Sequence, residues 1–428
     1  MDISLQDINS VDKEVIITAD REDLEPKFQE AYKKYKKQIN MPGFRPGKVP
    51  VEIVRKRFGD EIEQEEVGNY VQEVFENEVV PEYEPVGEPE MLDLTWEDDK
   101  LEAKFKVGLR PEFELADLED ATVDLMVHDV TDEEVEHELE HALEREGNWE
   151  EVEEPVTENS KVTVDAVHLD EDGEPIEGET DEDQVIDLRQ DEFSAFESDL
   201  LGKKAGDIVN VQLGEEEEQD EFKLIIKKVE KLHPAKLTDE FAKEQSNDEA
   251  KNVDEYKSLL KSRIQDYYDQ SADDLFKNEI VDTLVEKHDF EVPESFLEQV
   301  LDQYVQRVEQ QAGGDLSDDF NREAYKEQVH DRAVRDAKWY FINEKLQEKF
   351  DDIEIESDDV DEHLAAQAAQ YGVTVDQMRN MFAQNPQQLE NLRNSIREEK
   401  VFDRLKDIVN INEMDKETYE QKHEEVNS

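Results

Sequence analysis

The chain has 428 residues, with 119 acidic against 49 basic side chains and a formal net charge of −70. That length accommodates two to four domains with real hydrophobic cores. Without cysteine there are no disulfides, thiolate metal sites or cysteine nucleophile, and without an apolar run of roughly 18 residues there is no transmembrane helix.

Lys13–Ala19 reads as a strand. Leu24, Phe28, Tyr32, Tyr35 and Ile39 follow at spacings that form one apolar helical stripe, which Pro42 and Gly43 end. Val51–Phe58 reads as a short helix and Ile62–Val79 as a longer one. Leu101, Ala103, Phe105 and Val107 alternate as a half-buried strand, so residues 1–112 form a small α+β domain. Within it, Lys27–Arg57 holds ten cations against Glu30 and Glu52, a local charge of +8 in a strongly acidic chain. Such a sign reversal points to a partner carrying phosphates or an acidic surface.

Residues 113–131 read as extended. Thr131 with Glu134 three positions on forms a capping box for a helix whose apolar stripe is Val135, Leu139 and Ala142/Leu143. Glu150–Glu158 reads as a charged linker, so 113–158 connects two domains. Residues 159–232 are β-rich. Lys161–His168 is a strand, Asp170–Gly173 a hairpin turn, Phe193–Leu201 a short helix, and Ile208–Leu213 and Phe222–Ile226 are two further strands. From 233 to 428 the apolar spacings are helical throughout, interrupted at Gly313–Asp319. The fold class expected is therefore multidomain α+β: an N-terminal α+β domain, a β domain, then an all-α C-terminal domain.

The N-terminal sequence lacks a basic and apolar secretion signal, so the expected location is the cytoplasm. Clean apolar periodicity indicates folded domains with acidic surfaces rather than disorder. At molar salt the Debye length falls to about 3 Å and the self-repulsion of such surfaces is screened, so a salt-rich, halophilic cytoplasm is expected.

The segment Gly43-Phe-Arg-Pro-Gly-Lys-Val-Pro50, behind a basic helix, resembles the ribosome-docking signature of the trigger factor family. Gly202-Lys-Lys-Ala-Gly206, with Phe196-Glu197 before it and Phe222–Val229 after it, resembles the FKBP-type prolyl isomerase domain of that family. Phe290-Glu-Val-Pro-Glu294, and Ala369-Gln-Tyr-Gly372 before Ile396-Arg-Glu-Glu-Lys400, are similar to its helical chaperone domain. The resemblance spans essentially the whole chain. It implies an ATP-independent chaperone at the ribosomal tunnel exit that shields nascent and unfolded polypeptides, needs no cofactor and has no membrane partner. A homodimer off the ribosome is compatible with it. It also implies that 131–146 joins the chaperone domain.

The docking residues expected are Gly43, Phe44, Arg45, Pro46, Gly47, Lys48 and Pro50. Prolines stiffen the loop, Phe44 is an apolar anchor, Arg45 can fork onto a phosphate or carboxylate, and Lys48 adds attraction to rRNA. By resemblance the isomerase pocket comprises Phe193, Phe196 and Phe222, with Ile176 where the family has an aromatic. Ala166 and Gln184 replace further aromatics, and the flap is reduced to Gly214–Glu221. These phenylalanines are equally readable as core of a degenerate domain. Uncatalysed rotation about the peptide bond faces a barrier of about 18–20 kcal/mol, which an apolar pocket lowers without a nucleophile. Met378, Met381 and Phe382 are the client-binding candidates, as adaptable apolar side chains. His137-Glu-Leu-Glu-His141 has zinc-protease spacing, but its histidines fall opposite the Val135/Leu139 stripe and no third ligand is indicated, so no metal is expected. The alternative is a free-standing FKBP-type isomerase with accessory domains.

Overall fold

The computed structural model describes residues 1–42, 44–45, 47–170, 174–190, 193–213, 220–314 and 320–427. Gly43, Pro46, most of the turn at Asp170–Gly173, most of Gly214–Glu221 and the segment Asp315–Asp319 lie outside the described residues.

In chain order the elements are β1 (Asp2–Asp7), β2 (Asp12–Asp20), α1 (Arg21–Gln38), α2 (Val51–Val74), a π-helical turn (Phe75–Val79), α3 (Val80–Tyr83), β3 (Val86–Glu97), β4 (Lys100–Gly108), a 3-10 turn (Leu118–Asp120) and β5 (Thr122–Val127). Then come α4 (Asp132–Arg145), β6 (Asn148–Glu151), β7 (Ser160–Leu169), β8 (Pro175–Asp187), α5 (Ser194–Leu200), β9 (Ile208–Leu213), β10 (Asp220–His233), α6 (Asp239–Gln245) and α7 (Val253–Lys287). The remainder is α8 (Glu294–Gln311), α9 (Arg322–Gln328), α10 (His330–Lys349), α11 (Ser357–Tyr371), α12 (Val375–Ala383), α13 (Pro386–Lys406), β11 (Asn410–Asp415) and α14 (Lys416–Asn427). Two compact units result, Met1–Met126 with Asp273–Ser428, and Val127–Ala272.

In the first unit, an antiparallel sheet of order β1-β2-β4-β3 carries α1 and α2 on one face. Val15, Ile17, Ala103, Phe105 and Val107 of the sheet meet Leu24, Phe28 and Tyr32 of α1 and Val54, Ile62, Val67 and Val71 of α2. A buried polar knot locks the two helices. Glu63 on α2 is 8% exposed and accepts hydrogen bonds from the Arg21 guanidinium and the Tyr32 hydroxyl. Arg21 also donates to Asp99 at 2.7 Å, in the β3–β4 turn. Asp98 and Asp99 both have positive φ there, as a two-residue hairpin turn of this hand requires. Burial opposes ionisation of Glu63, but the Arg21 and Tyr32 hydrogen bonds outweigh it and hold its carboxyl below the ordinary value.

The helical part of this unit has its own cores. Phe276, Ile280 and Leu284 of α7 meet Ile342 and Leu346 of α10, Val401 and Leu405 of α13, and Leu118, Ala121 and Val123. Leu364 and Ala368 of α11 pack with Met378, Leu392 and Ile396. β11 returns to pair with β5, and Asp124 accepts hydrogen bonds from Asn412 (2.9 Å) and the Lys422 ammonium, which pins α14. The start of α8 docks on the N-terminal sheet. Ser295 Oγ donates to the Val86 carbonyl at 2.9 Å, and a Cβ on Gly108 would stand 2.5 Å from Pro293 Cβ, so glycine is required for that approach.

The second unit holds an antiparallel sheet of order β6-β10-β7-β8, with β9 also on β10. Val162, Val164, Leu200, Leu224 and Ile226 form its core. Separately, α4 packs Val135, Leu139 and Ala142 against Phe241 of α6 and Tyr256 and Leu260 of α7. The capping box forms as its spacing indicates. The Thr131 N–H and hydroxyl bind Glu134 at 2.8 and 2.9 Å, and these bonds bring the Glu134 carboxyl to about 2.

Three sequence readings need correction. Val51–Phe58 and Ile62–Val79 are not separate helices: α2 runs through Gly59, because Val54, Ile62 and Val67 face one core and Gly59 lies buried against Tyr32. Part of the Glu150–Glu158 linker is strand, since β6 pairs Glu150 and Glu151 with Lys231 and Glu230. The C-terminal segment is not entirely helical, because β11 interrupts it.

Glu63→Gln should destabilise the N-terminal unit by about 1–3 kcal/mol, because it leaves the buried Arg21 and Tyr32 groups poorly paired. The contribution of the ionised carboxylate is fully present above its unfolded-state pKa and is lost as pH falls through the lowered folded value. Thermal melts of wild type and Glu63→Gln should therefore differ at neutral pH and converge in acid; a gap independent of pH would reject this account.

Candidate functional site

The loop between α1 and α2 is fixed at both ends by apolar side chains. Met41 and Val49 are buried in the core shared by the two helices. Between them the backbone turns tightly: the Phe44 N–H donates to the Met41 carbonyl at 3.1 Å, and the Lys48 N–H to the Arg45 carbonyl at 2.9 Å. Gly47 has φ +74°, the left-handed region that favours glycine, and a Cβ there would meet nothing. The α2 helix restarts at once, with the Pro50 carbonyl accepting from the Ile53 N–H. Burying Met41 and Val49 thus turns Phe44, Arg45 and Lys48 outward. Phe44, Arg45 and Lys48 are exposed, Phe44 at 37%.

The electrostatics of this region set it apart. Lys27 pairs with Glu73. Among the described residues, Lys33, Lys34, Lys36, Lys37, Arg45, Lys48, Arg55, Lys56 and Arg57 have no ion pair, although carboxylates outnumber cations more than twofold along the chain. Elsewhere lysines and arginines are engaged repeatedly: Lys326 holds Glu298 and Asp302, Lys227 holds Asp165 and Asp183, and Arg335 holds Asp282 and Asp336. An exposed aromatic among unpaired cations can bury its ring against a partner while the cations face phosphates.

In the β domain, Phe193, Phe196 and Phe222 come together, all half-buried against the same apolar core. Phe193 and Phe196 have ring centroids 6.2 Å apart, and Phe222 meets the His168 ring edge-on at 4.6 Å. Ile176 is half-buried at the start of β8 and is not among the side chains packed on that core. In the helical part, the client candidates separate. Met378 is buried in the α11–α13 core, Phe382 packs partly against it, and Met381 is 59% exposed. Tyr371 (70%) and Val373 are exposed just before α12, an apolar signal that helical periodicity does not register. His137 and His141 lie on the exposed face of α4 with their rings 4.4 Å apart. The Glu63 knot between the start of α1 and the middle of α2 is a further contribution that the sequence did not disclose, since an acid within a helix of acids carries no signal of its own.

The family described as "Bacterial trigger factor protein (TF)" matches residues 1–142, and "Bacterial trigger factor protein (TF) C-terminus" matches 252–407. A trigger factor of Salinibacter ruber is 29% identical, covering 98% of this chain and 96% of its own. Those of Chlorobaculum tepidum and Desulfotalea psychrophila are each 28% identical, covering 93% and 94% of this chain. Among solved structures, one described as "Promiscuous Substrate Recognition in Folding and Assembly Activities of the Trigger Factor Chaperone" is similar in fold. Its TM-score is 0.53 at 21% identity, over 95% of this chain and 99% of that one.

Proposed function

Because this chain belongs to the trigger factor family, we propose that it is an ATP-independent, ribosome-associated chaperone that docks through its 41–50 loop and shields nascent chains in the cytoplasm. The observation that carries this reading is the loop itself: Phe44 outward at the tip, Met41 and Val49 buried behind it, and nine cations around it that have no ion pair among the described residues. Residues 1–112 are the ribosome-binding part, with Phe44, Arg45, Gly47, Lys48 and Pro50 at the contact; Gly43 and Pro46 complete the motif in sequence. Residues 159–232 are the FKBP-like part, and 233–428, with the helix after Thr131, hold clients. Exposed Met381, Tyr371 and Val373 are the adaptable apolar surface for that role, whereas Met378 supports the core behind them.

Phe44→Ala with Arg45→Ala should abolish cosedimentation with ribosomes and leave the melting temperature unchanged, because neither side chain is part of the core. Lys48→Ala should retain binding and make the slope of log affinity against log salt shallower by about 1, as one lost phosphate contact does. Cosedimentation of the double variant at wild-type level would reject the docking site.

Prolyl isomerisation is weak or absent in this reading. Phe193, Phe196 and Phe222 cover an apolar core, and Ile176 does not join them. In a refolding reaction limited by proline isomerisation, this protein should accelerate the slow phase little; strong acceleration that Phe222→Ala removes would establish an active pocket.

The acidic surface fits a salt-rich cytoplasm. Melting temperature should rise from low to molar KCl as self-repulsion is screened; a maximum at low salt would overturn this part of the reading.

A further inference from the structure

We propose that the open edge of β3 is a second polypeptide-binding site, which takes an extended segment with alternating apolar residues and a basic end as an added strand. The inference deepens the chaperone reading and rests on it for the class of client. β3 is the last strand of its sheet and, among the described residues, pairs only with β4. Among the described residues, no other backbone group hydrogen-bonds to the strand between Glu88 and Glu97. A strand edge of this kind offers alternate N–H and C=O groups to an incoming chain.

The side chains define what such a chain must carry. Met91 and Leu94 lie opposite Phe105 and Ala103, both buried on the helix-covered face. The cover thins at this edge: Trp96 still meets Phe28, but Met91 is 50% and Leu94 36% exposed, with Leu92 between them also exposed. This leaves a rim of three large apolar residues within four positions. Towards the start of β3 the surroundings become acidic. A groove of about 800 Å³ between β3 and α8 is lined by Glu88, Glu90, Glu294, Glu298 and Asp302, with Lys106 as its one cation. Lys106 pairs with Glu294, and Lys326 with Glu298 and Asp302, whereas Glu88 and Glu90 have no ion pair among the described residues.

These features also select against rivals. Acidic side chains, a proline and bulges protect an edge strand from pairing with its own kind. Here Pro89, the bulges either side of Glu90–Met91, and the flanking carboxylates keep off acidic strands, including those of a second copy carrying −70. The same carboxylates attract lysine and arginine. From Glu88 to Leu94 the strand extends about 20 Å at ~3.3 Å per residue, so a ten-residue segment spans the rim and reaches the groove.

The test uses the full chain and a fluorescein-labelled decapeptide, seven residues of alternating valine and serine followed by three lysines, read by fluorescence anisotropy. A control peptide replaces the serines with prolines, which removes backbone donors and keeps the charge. The control should bind at least tenfold more weakly. Met91→Asp with Leu92→Asp should weaken the first peptide at least tenfold although it adds negative charge, and Glu88→Lys with Glu90→Lys should do the same. Equal binding of both peptides, or tighter binding to the Met91/Leu92 aspartate variant, would reduce the site to charge attraction and overturn the proposal. Ribosome cosedimentation of the same variants, which should be unchanged, separates the outcomes: wild-type protein that binds the peptide but not ribosomes refutes the docking reading alone, and the reverse refutes strand addition alone.

Discussion

One carboxylate organises the N-terminal part of this molecule. Glu63 sits where α1, α2 and the β3–β4 turn converge, and it is ionised there because Arg21 and Tyr32 repay its loss of water. Arg21 simultaneously holds Asp99 in the turn. The crossing of the two helices is therefore fixed by directional hydrogen bonds and not only by apolar packing. That crossing decides where Met41 and Val49 insert, and their insertion decides that Phe44, Arg45 and Lys48 face outward. The exposed tip is thus the outward consequence of a buried polar knot about a dozen residues along α2.

Charge is distributed by the same logic. With 119 acids and 49 bases, a cation has every opportunity to find a carboxylate, and most cations in the helical and β parts do so. A cluster of cations without ion pairs can persist only where sequence keeps acids away, as Lys33–Arg57 does with Glu52 as its one acid. Exposed ion pairs contribute at most about 1 kcal/mol each, so the paired cations elsewhere chiefly lower self-repulsion of the acidic surface. The unpaired ones contribute nothing comparable to the fold and remain available to a partner.

What the sequence disclosed follows from how strongly each feature is encoded locally. The loop was legible because proline, glycine and aromatic residues punctuate it, and the α4 cap because Thr131 and Glu134 form a two-residue signal. β2, β4 and β7 alternate cleanly and were found. β1, β3 and β8 were not: β3 reads Glu-Pro-Glu-Met-Leu-Asp-Leu, its bulges break the period of two, and its exposure comes from being an edge, which only the assembled sheet determines. The division of α2 into Val51–Phe58 and Ile62–Val79 is overridden by tertiary packing, which carries one helix through Gly59. Met378 and Met381 have the same identity three residues apart, and only the packing of α11 and α13 makes one core and leaves the other outside.

The exposed apolar residues and the exposed cations answer differently to salt, and this bears on how such a chaperone would recognise anything in a salt-rich cell. Phosphate contacts weaken steeply as counterion release loses its driving force, and screening at molar salt confines charge attraction to about 3 Å. Apolar burial is not weakened in that way, and strongly excluded salts reinforce it. In the proposed docking mode the cations around the loop would then serve mainly to orient an approaching partner over short distances, while Phe44 would supply affinity. The same division would hold for clients in the proposed sites: Glu88 and Glu90 would select the sign of a segment near β3, whereas Met91, Leu92 and Leu94 there, and Met381 and Tyr371 near α12, would supply the area that holds it. At molar salt, a chain that is acidic nearly everywhere would therefore rely for binding on the few places where its apolar side chains remain uncovered.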